Sequence, residues 1–501
     1  MRASQGIIAA ALAACLSACA SHEVTRGTVI IGATIVDVRD GSMKRDRAIV
    51  MDNGKIAAIA PSSAVHASGA AQVIDASGKY VVPGFNDMHA HVVDKADQTP
   101  PPWPLLIANG VTGFRQMSGS PELLARGQRL RQEIASGAVI APEPLLLVGR
   151  LFNMAPEAGQ PGITTPEAAV ALVEEEKREG TEFIKVINVS RPVFYATSDQ
   201  AKKDGYDLVG HLFPPVSGTD ASNAGMRAYE HLGATTGNIL FDCSTDEAAV
   251  RGQLMAEAAA RAQAGGPPPT PQIIARGIAI PTIGLRPGDI AAIQHAIDTY
   301  SEARCRTLAR LLAKNETWQV ATLIRIKSMM VPDTPEFQAD PNIQYVAPEQ
   351  RQTWREALQI YNRFPDGAKA TLLQFYEADL AMMRIFRQEG VKVVAGDDLG
   401  GGLLVAGFSL HREFRELARV GYTPLEVLQM TTIDAAQFLR RTDRMGTVDE
   451  GKSADLVLLD GDPTSSVGNL DLIAGVVLKG RYFDKAALEK MKADTAAAYR
   501  Q

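Results

Sequence analysis

The sequence predicts an α/β protein, a (β/α)8 TIM barrel with a small β-sandwich formed by its N-terminal and C-terminal segments. Three observations predict it. Eight short apolar runs alternate with helix-like stretches through the middle of the chain. Segments of β-type patterning with turn residues bracket that region at both ends. Side chains of metal-ligating type recur within or just after the apolar runs, where the active sites of such barrels lie.

The first module runs over residues 27–78, where TVIIGATIVDV, RAIVMDNGKIAAIA and AQVIDASGKYVV alternate apolar runs with turns, and Asn53-Gly54 is a hairpin signal. Residues 446–485 return to the same pattern in GTVDEGKSADLVLLDGDP and IAGVVLKGRYF, which predicts that the two segments combine into one sandwich. Between them, residues 79–445 supply the barrel. Its candidate strands are YVVPGF, GVTGF, PLLLVG, FIKVINV, YDLVG, MRAYE, TWQVATLI and VKVVAG. Continuous apolar strands of this kind are buried on both faces, as in a parallel sheet covered by helices. The intervening helices carry their own punctuation: Ser120-Pro121 starts one that ends near Gly137, and Thr165-Pro166 starts one that ends at Gly180. A long insertion at about 240–316 contains GGPPPTP and helix-like stretches, which is the profile of a lid or binding loop.

A chain of 501 residues with 46% hydrophobic content can bury a large core, and length alone suggests about three domains, a rule that barrels often break. The net charge of −6 and the lack of basic runs exclude an electrostatic footprint for nucleic acid, which leaves a small soluble ligand. The N-terminus joins a positive charge to the apolar stretch GIIAAALAACLSACA, too short to span a bilayer. Residues 1–18 therefore read as a secretory signal. Leu16-Ser17-Ala18-Cys19 resembles a bacterial lipobox, which implies cleavage before Cys19 and lipidation of that cysteine. Ala20 then resembles outer-membrane sorting, so the expected location is the outer membrane, facing the periplasm or cell surface, with the membrane touched only through the lipid anchor. Cleavage leaves Cys243 and Cys305, either paired in an oxidising compartment or buried as small hydrophobes.

The chemistry starts at His89 and His91. On an extended segment residues i and i+2 project from one face, roughly 7 Å apart at their bases, so two imidazoles can meet one ion. A chance pair is the alternative for an isolated H-x-H. The rest of the chain decides between them: Lys185 lies within FIKVINV, His211 follows YDLVG, His231 follows MRAYE and Asp398 follows VKVVAG. Each has a plain explanation alone, but they recur at one end of one barrel.

These motifs, VVPGFNDMHAH, NGVTGFRQM, FIKV, VGHLFPPVS, YEHL and AGDD, together with LHREFRELARVGYTPLEVLQMTTIDAAQFL, closely resemble the amidohydrolase superfamily. The similarity is to its secreted imidazolonepropionase-like and binuclear Xaa-Pro dipeptidase-like members. The resemblance implies that His89, His91, Lys185, His211, His231 and Asp398 hold two divalent metal ions, zinc being the expected metal, with Lys185 carboxylated to N6-carboxylysine as the bridge. It further implies that Asp398 accepts a proton from the bridging water and returns it to the leaving nitrogen. Two departures stand out. Asn86 occupies a position usually aliphatic, and the doublet Asp397-Asp398 leaves Asp397 as an alternative to the catalytic Asp398. Tyr195, ten residues after Lys185, is a candidate hydrogen-bond donor to the substrate carbonyl, or a packing tyrosine.

The expected function is binuclear metal-dependent hydrolysis of an amide bond in a small peptide or N-acyl amino acid, as by a dipeptidase or prolidase. A homo-oligomer is compatible with it. Lactone or phosphotriester hydrolysis on the same metals is the alternative chemistry, and a non-catalytic metal- or solute-binding lipoprotein the alternative class.

Overall fold

The computed structural model describes residues 22–156, 160–265 and 269–500, so the signal segment and Cys19 lie outside the described residues. The first strands are β1 (His22–Val24), β2 (Thr28–Val36), β3 (Met43–Asp52), β4 (Lys55–Pro61), β5 (Val65–Ala67), β6 (Gln72–Asp75) and β7 (Tyr80–Pro83). Asn53 and Gly54 turn β3 into β4 with φ of 50° and 73°, the left-handed pair that a two-residue hairpin requires. After the central region come β16 (Leu456–Leu459), β17 (Ile473–Leu478) and β18 (Arg481–Asp484), and β16 pairs antiparallel with β7. One eight-stranded sheet results, in the order β18-β17-β16-β7-β2-β3-β4 with β6 on β2. Strands from both terminal segments thus pair within one sheet. Its apolar face is the cluster of Ile30, Ile35, Ile49, Ile56, Leu456, Leu458 and Val477.

The central strands are β8 (Phe85–Ala90), β9 (Val111–Gln116), β10 (Glu143–Leu146), β11 (Phe152–Asn153), β12 (Ile184–Asn188), β13 (Leu208–Gly210), β14 (Ala228–Glu230) and β15 (Trp318–Val320). They form two parallel sheets, β10-β9-β8 and β11-β12-β13-β14-β15. Three expectations change. YVVP belongs to the terminal sheet as β7, and the first central strand is FNDMHA, whose six residues are all buried, so His89 lies in the strand. TWQVATLI is extended only to Val320, because Thr322 takes φ 46° and starts the helix Leu323–Met330. VKVVAG forms no continuous strand; it makes parallel bridges at Gln319↔Val393 and, just beyond, Ala90↔Leu399, since the chain turns at Asp398 with φ 57°. These bridges still join β15 to β8 through hydrogen bonds from Val394 N to Gln319 O and from Met88 N to Ala395 O.

The insertion is helical, with Glu247–Ala264, Pro271–Ala279, Pro287–Asp298 and Glu302–Lys314 as its main segments. A second helical stretch, Pro348–Tyr361 and Asp366–Gln388, follows β15 and was not singled out by the sequence patterns. Of the two alternatives for Cys243 and Cys305, the structure has the disulfide, with Cα atoms 4.7 Å apart and a sequence separation of 62. A loop of that length limits the unfolded chain by about 4 kcal/mol. Denaturation with and without reductant should differ by about that amount in unfolding free energy, and equal midpoints would show that the bridge contributes nothing.

Candidate metal centre

The site is built where β8, β14 and the 396–400 turn meet. His91 N donates to Leu399 O at 2.7 Å and Asp398 N to His89 O at 2.8 Å, which fixes the H-x-H pair against the aspartate doublet. Glycine is required here: a Cβ on Gly396 would stand 2.6 Å from His89 N, and one on Gly400, at φ 135°, would stand 2.8 Å from His91 Cβ. His231, Thr322 and Asp398 all hold positive φ. Such backbone costs on the order of 1–3 kcal/mol per residue and persists where the surroundings fix it.

The side chains converge on Asp398. His91 Nε2 lies 2.9 Å and His89 Nε2 3.1 Å from its Oδ1, while His231 Nε2 lies 3.8 Å from its Oδ2. His89, His231 and Asp398 offer ligand atoms that all fall within 4.8 Å of one another. The rings of His211 and His231 are 5.2 Å apart between centroids. Lys185 is buried, donates to Met117 O at 2.8 Å, and is close enough for its charge to act on His91, His211 and His231. The structure thus gathers all six residues named from the sequence. Asp397 turns elsewhere: its Oδ1 accepts from Leu399 N, and its carboxyl faces that of Asp87. Burial raises both, Asp87 to about 6, and the neighbouring Asp87 raises Asp397 further, so the two share a proton that Asp397 donates to Asp87.

Electrostatics separate the roles. Burial alone would raise Asp398, but the nearby His231, His89 and His91 hold it well below the usual carboxylate range. Burial lowers His211 to about 3, depresses His91 and His231, and brings Lys185 down to about 8 against the attraction of Glu230 and Asp398. His91, His211 and His231 are therefore neutral donors. His89 Nε2 and His211 Nε2 are buried without a hydrogen-bond partner among the described residues. Orphaned imidazole nitrogens around an ionised carboxylate fit a divalent cation of the zinc type.

Sequence reasoning missed the residues behind these ligands. Glu230 Oε2 accepts from His89 Nδ1 at 2.7 Å and its Oε1 accepts from Arg115 Nη2 at 2.7 Å, all fully buried. Arg115 also donates to Met88 O at 2.6 Å and lies 5.0 Å over the Phe438 ring. A carboxylate on the far nitrogen fixes the tautomer and raises the basicity of a ligating histidine. His231 Nδ1 is held likewise by Thr322 Oγ1 at 2.6 Å. Arg115 and Glu230 lie inside the motifs GFRQM and YEHL, so a polar residue in an apolar strand was the available signal. Arg325 had none. It places Nε 3.0 Å from Asp398 Oδ2 and donates to Ile278 O and Ala279 O of the insertion at 2.6 and 2.8 Å. Tyr195 sits in the helix Arg191–Asp204, its hydroxyl accepting from Arg191 at 3.1 Å. Asn86 fills its usually aliphatic position by donating to Thr431 O and Gly84 O.

Residues 362–483 match the model of the Amidohydrolase family. Imidazolonepropionase of Mycolicibacterium smegmatis is 34% identical over 73 residues, which is 15% of this chain and 18% of that protein, so the match spans under a fifth of this curated relative. Among solved structures, bottromycin amidohydrolase aligns over 94% of this chain and 90% of its own at 21% identity, with a TM-score of 0.69. A Xaa-Pro dipeptidase with methionine bound in its active site aligns over 91% of this chain and 99% of its own at 18% identity, with a TM-score of 0.59. The family match covers the Asp397-Asp398 turn, and the fold of these solved structures is shared along nearly the whole length of the chain.

Proposed function

We propose that this protein is a binuclear metal hydrolase cleaving the amide bond of a small dipeptide or N-acyl amino acid. The observation that carries the proposal is the convergence of His89, His91, His211 and His231 with Lys185 on an ionised, buried Asp398. In this reading the parallel sheets and the 391–399 segment close a (β/α)8 barrel, residues 27–78 and 446–485 form a sandwich beside it, and the donor set, with Lys185 in carboxylated form, would hold two zinc ions. When bound, such ions polarise a carbonyl and acidify water. Asp398 then takes the proton of the attacking water and returns it to the leaving nitrogen, without which an amine departs poorly. Lys185 supports the carbamate because its buried amine is easily neutral near pH 8, the form that reacts with carbon dioxide. We read the chain as exported, anchored to the outer membrane through a lipid on Cys19, and acting on a small-molecule substrate, with homo-oligomers compatible.

Selectivity in this proposal comes from the insertion. Gly402 N donates to Ala279 O at 3.1 Å and Arg325 grips the same helix end, so the helix Pro271–Ala279 is tied to the Asp398 turn. Arg325→Lys keeps the charge but loses the planar fork. It should retain metal by elemental analysis while kcat/KM falls about tenfold or more; unchanged kinetics would remove the insertion from the pocket. The function itself is tested by supplying the metal-loaded protein with hydrophobic dipeptides, N-acyl amino acids, lactones and phosphotriesters. Amide hydrolysis is the expected result. Turnover of only lactones or phosphotriesters would replace the substrate class, and metal binding with no turnover would make the chain a binder.

A further inference from the structure

A cavity of about 760 Å³ lies at the opposite end of the central strands from the histidines. Its floor is the N-terminal ends of β8, β9 and β10, at Gly84, Asn86, Thr112 and Leu145, and its rim includes the Asn53-Gly54 hairpin of the terminal sheet. That volume is in the range of sites for small organic ligands.

Its charges are unbalanced. Five cationic side chains line it, Lys55, Arg131, Arg441, Arg444 and Lys479, against two carboxylates, Glu143 and Asp455. Lys479 pairs with Glu143 and lies 3.8 Å from Asp455, so both carboxylates have a partner already. Arg131 spends its donors on Pro144 O, Leu145 O and Glu182. Arg441 is different. Its side chain is 17% exposed, its nearest carboxylate oxygen is on Glu182 at 3.9 Å, and its guanidinium makes no hydrogen bond among the described residues. Burial lowers its pKa against the charges of Glu182 and Glu143, and the charges of Arg131 and Arg444 lower it further. Arg444 has only its neighbour Asp443, also 3.9 Å away. Like charges gathered in a recess, with an unused planar donor among them, are stabilised by an anion that brings two acceptor oxygens. Beside them Ile134, Leu145 and Met445 give the same cavity an apolar wall.

We propose that this cavity is a second binding site, for a small organic anion whose carboxylate or phosphate head meets Arg441 and Arg444 and whose apolar body lies on Ile134, Leu145 and Met445. The proposal is independent of the reaction at the metal centre.

Calorimetric titration of the full-length, metal-loaded protein with 4-methylpentanoate, which has no amide to cleave, and with adenosine 5′-monophosphate tests it, one probe for each head group. At least one probe should bind with a Kd below about 1 mM. Its binding should survive in His89→Ala, which disables the other site, and weaken about tenfold or more in Arg441→Gln or Arg444→Gln. Arg444 is exposed, so its variant keeps the test open should Arg441→Gln fail to fold. The proposal is overturned by a lack of saturable binding of both probes, by binding that disappears in His89→Ala, or by an affinity unchanged in the folded arginine variants. The probe that binds more tightly identifies the head group.

Discussion

Replacing Asp398 with asparagine is expected to lower kcat by on the order of 10²–10⁴-fold, the range for removing a positioned proton-transfer group. Asparagine preserves the shape of the side chain and one acceptor oxygen but cannot take a proton from water at neutral pH. Metal content should fall less than in His89→Ala or His91→Ala, because all four histidines and Lys185 stay in place, and elemental analysis beside steady-state kinetics separates the two effects. The adjacent position is the control. Asp397 faces Asp87 and shares a proton with it, so Asp397→Asn replaces a carboxyl that is already neutralised and should leave kcat within about tenfold. An inactive Asp397→Asn beside an active Asp398→Asn would reverse the assignment.

The second large effect belongs to a residue that touches no substrate in the proposed reaction. Arg115→Met should cost about 3–5 kcal/mol of stability in denaturant titrations, since it leaves Glu230 ionised and unpaired where no water reaches it. Burial would raise Glu230, and Arg115 with His89 holds it at about 2, so the variant removes the largest of the influences that oppose burial. Glu230→Gln should recover much of the loss when combined with Arg115→Met, because the buried charge is then gone; a double variant as unstable as the sum of the singles would show that packing, not charge, sets the cost. Glu230→Gln alone should weaken metal binding about 10–100-fold by releasing the far nitrogen of His89.

The sequence by itself determined the parts that depend on local pattern. Turn residues and β alternation placed the terminal modules, apolar runs placed most central strands, and the histidines, Lys185 and Asp398 stood out because metal-ligating types are conspicuous at the ends of apolar runs. The boundary at Pro83 was not legible, because YVVP and FNDMHA are both apolar and extended, and only pairing partners separate β7 from β8. The breaks at Thr322 and Asp398 were hidden for a related reason: non-glycine residues at positive φ carry no local signal and are held there by the surrounding fold. Tertiary structure alone decided that Asp398 and not its neighbour faces the histidines, that Cys243 meets Cys305, that Glu230 and Arg115 stand behind His89, and that Arg325 links the insertion to the site. Each of these joins residues far apart in sequence, and such contacts are set by how the elements pack, which no periodicity along the chain encodes.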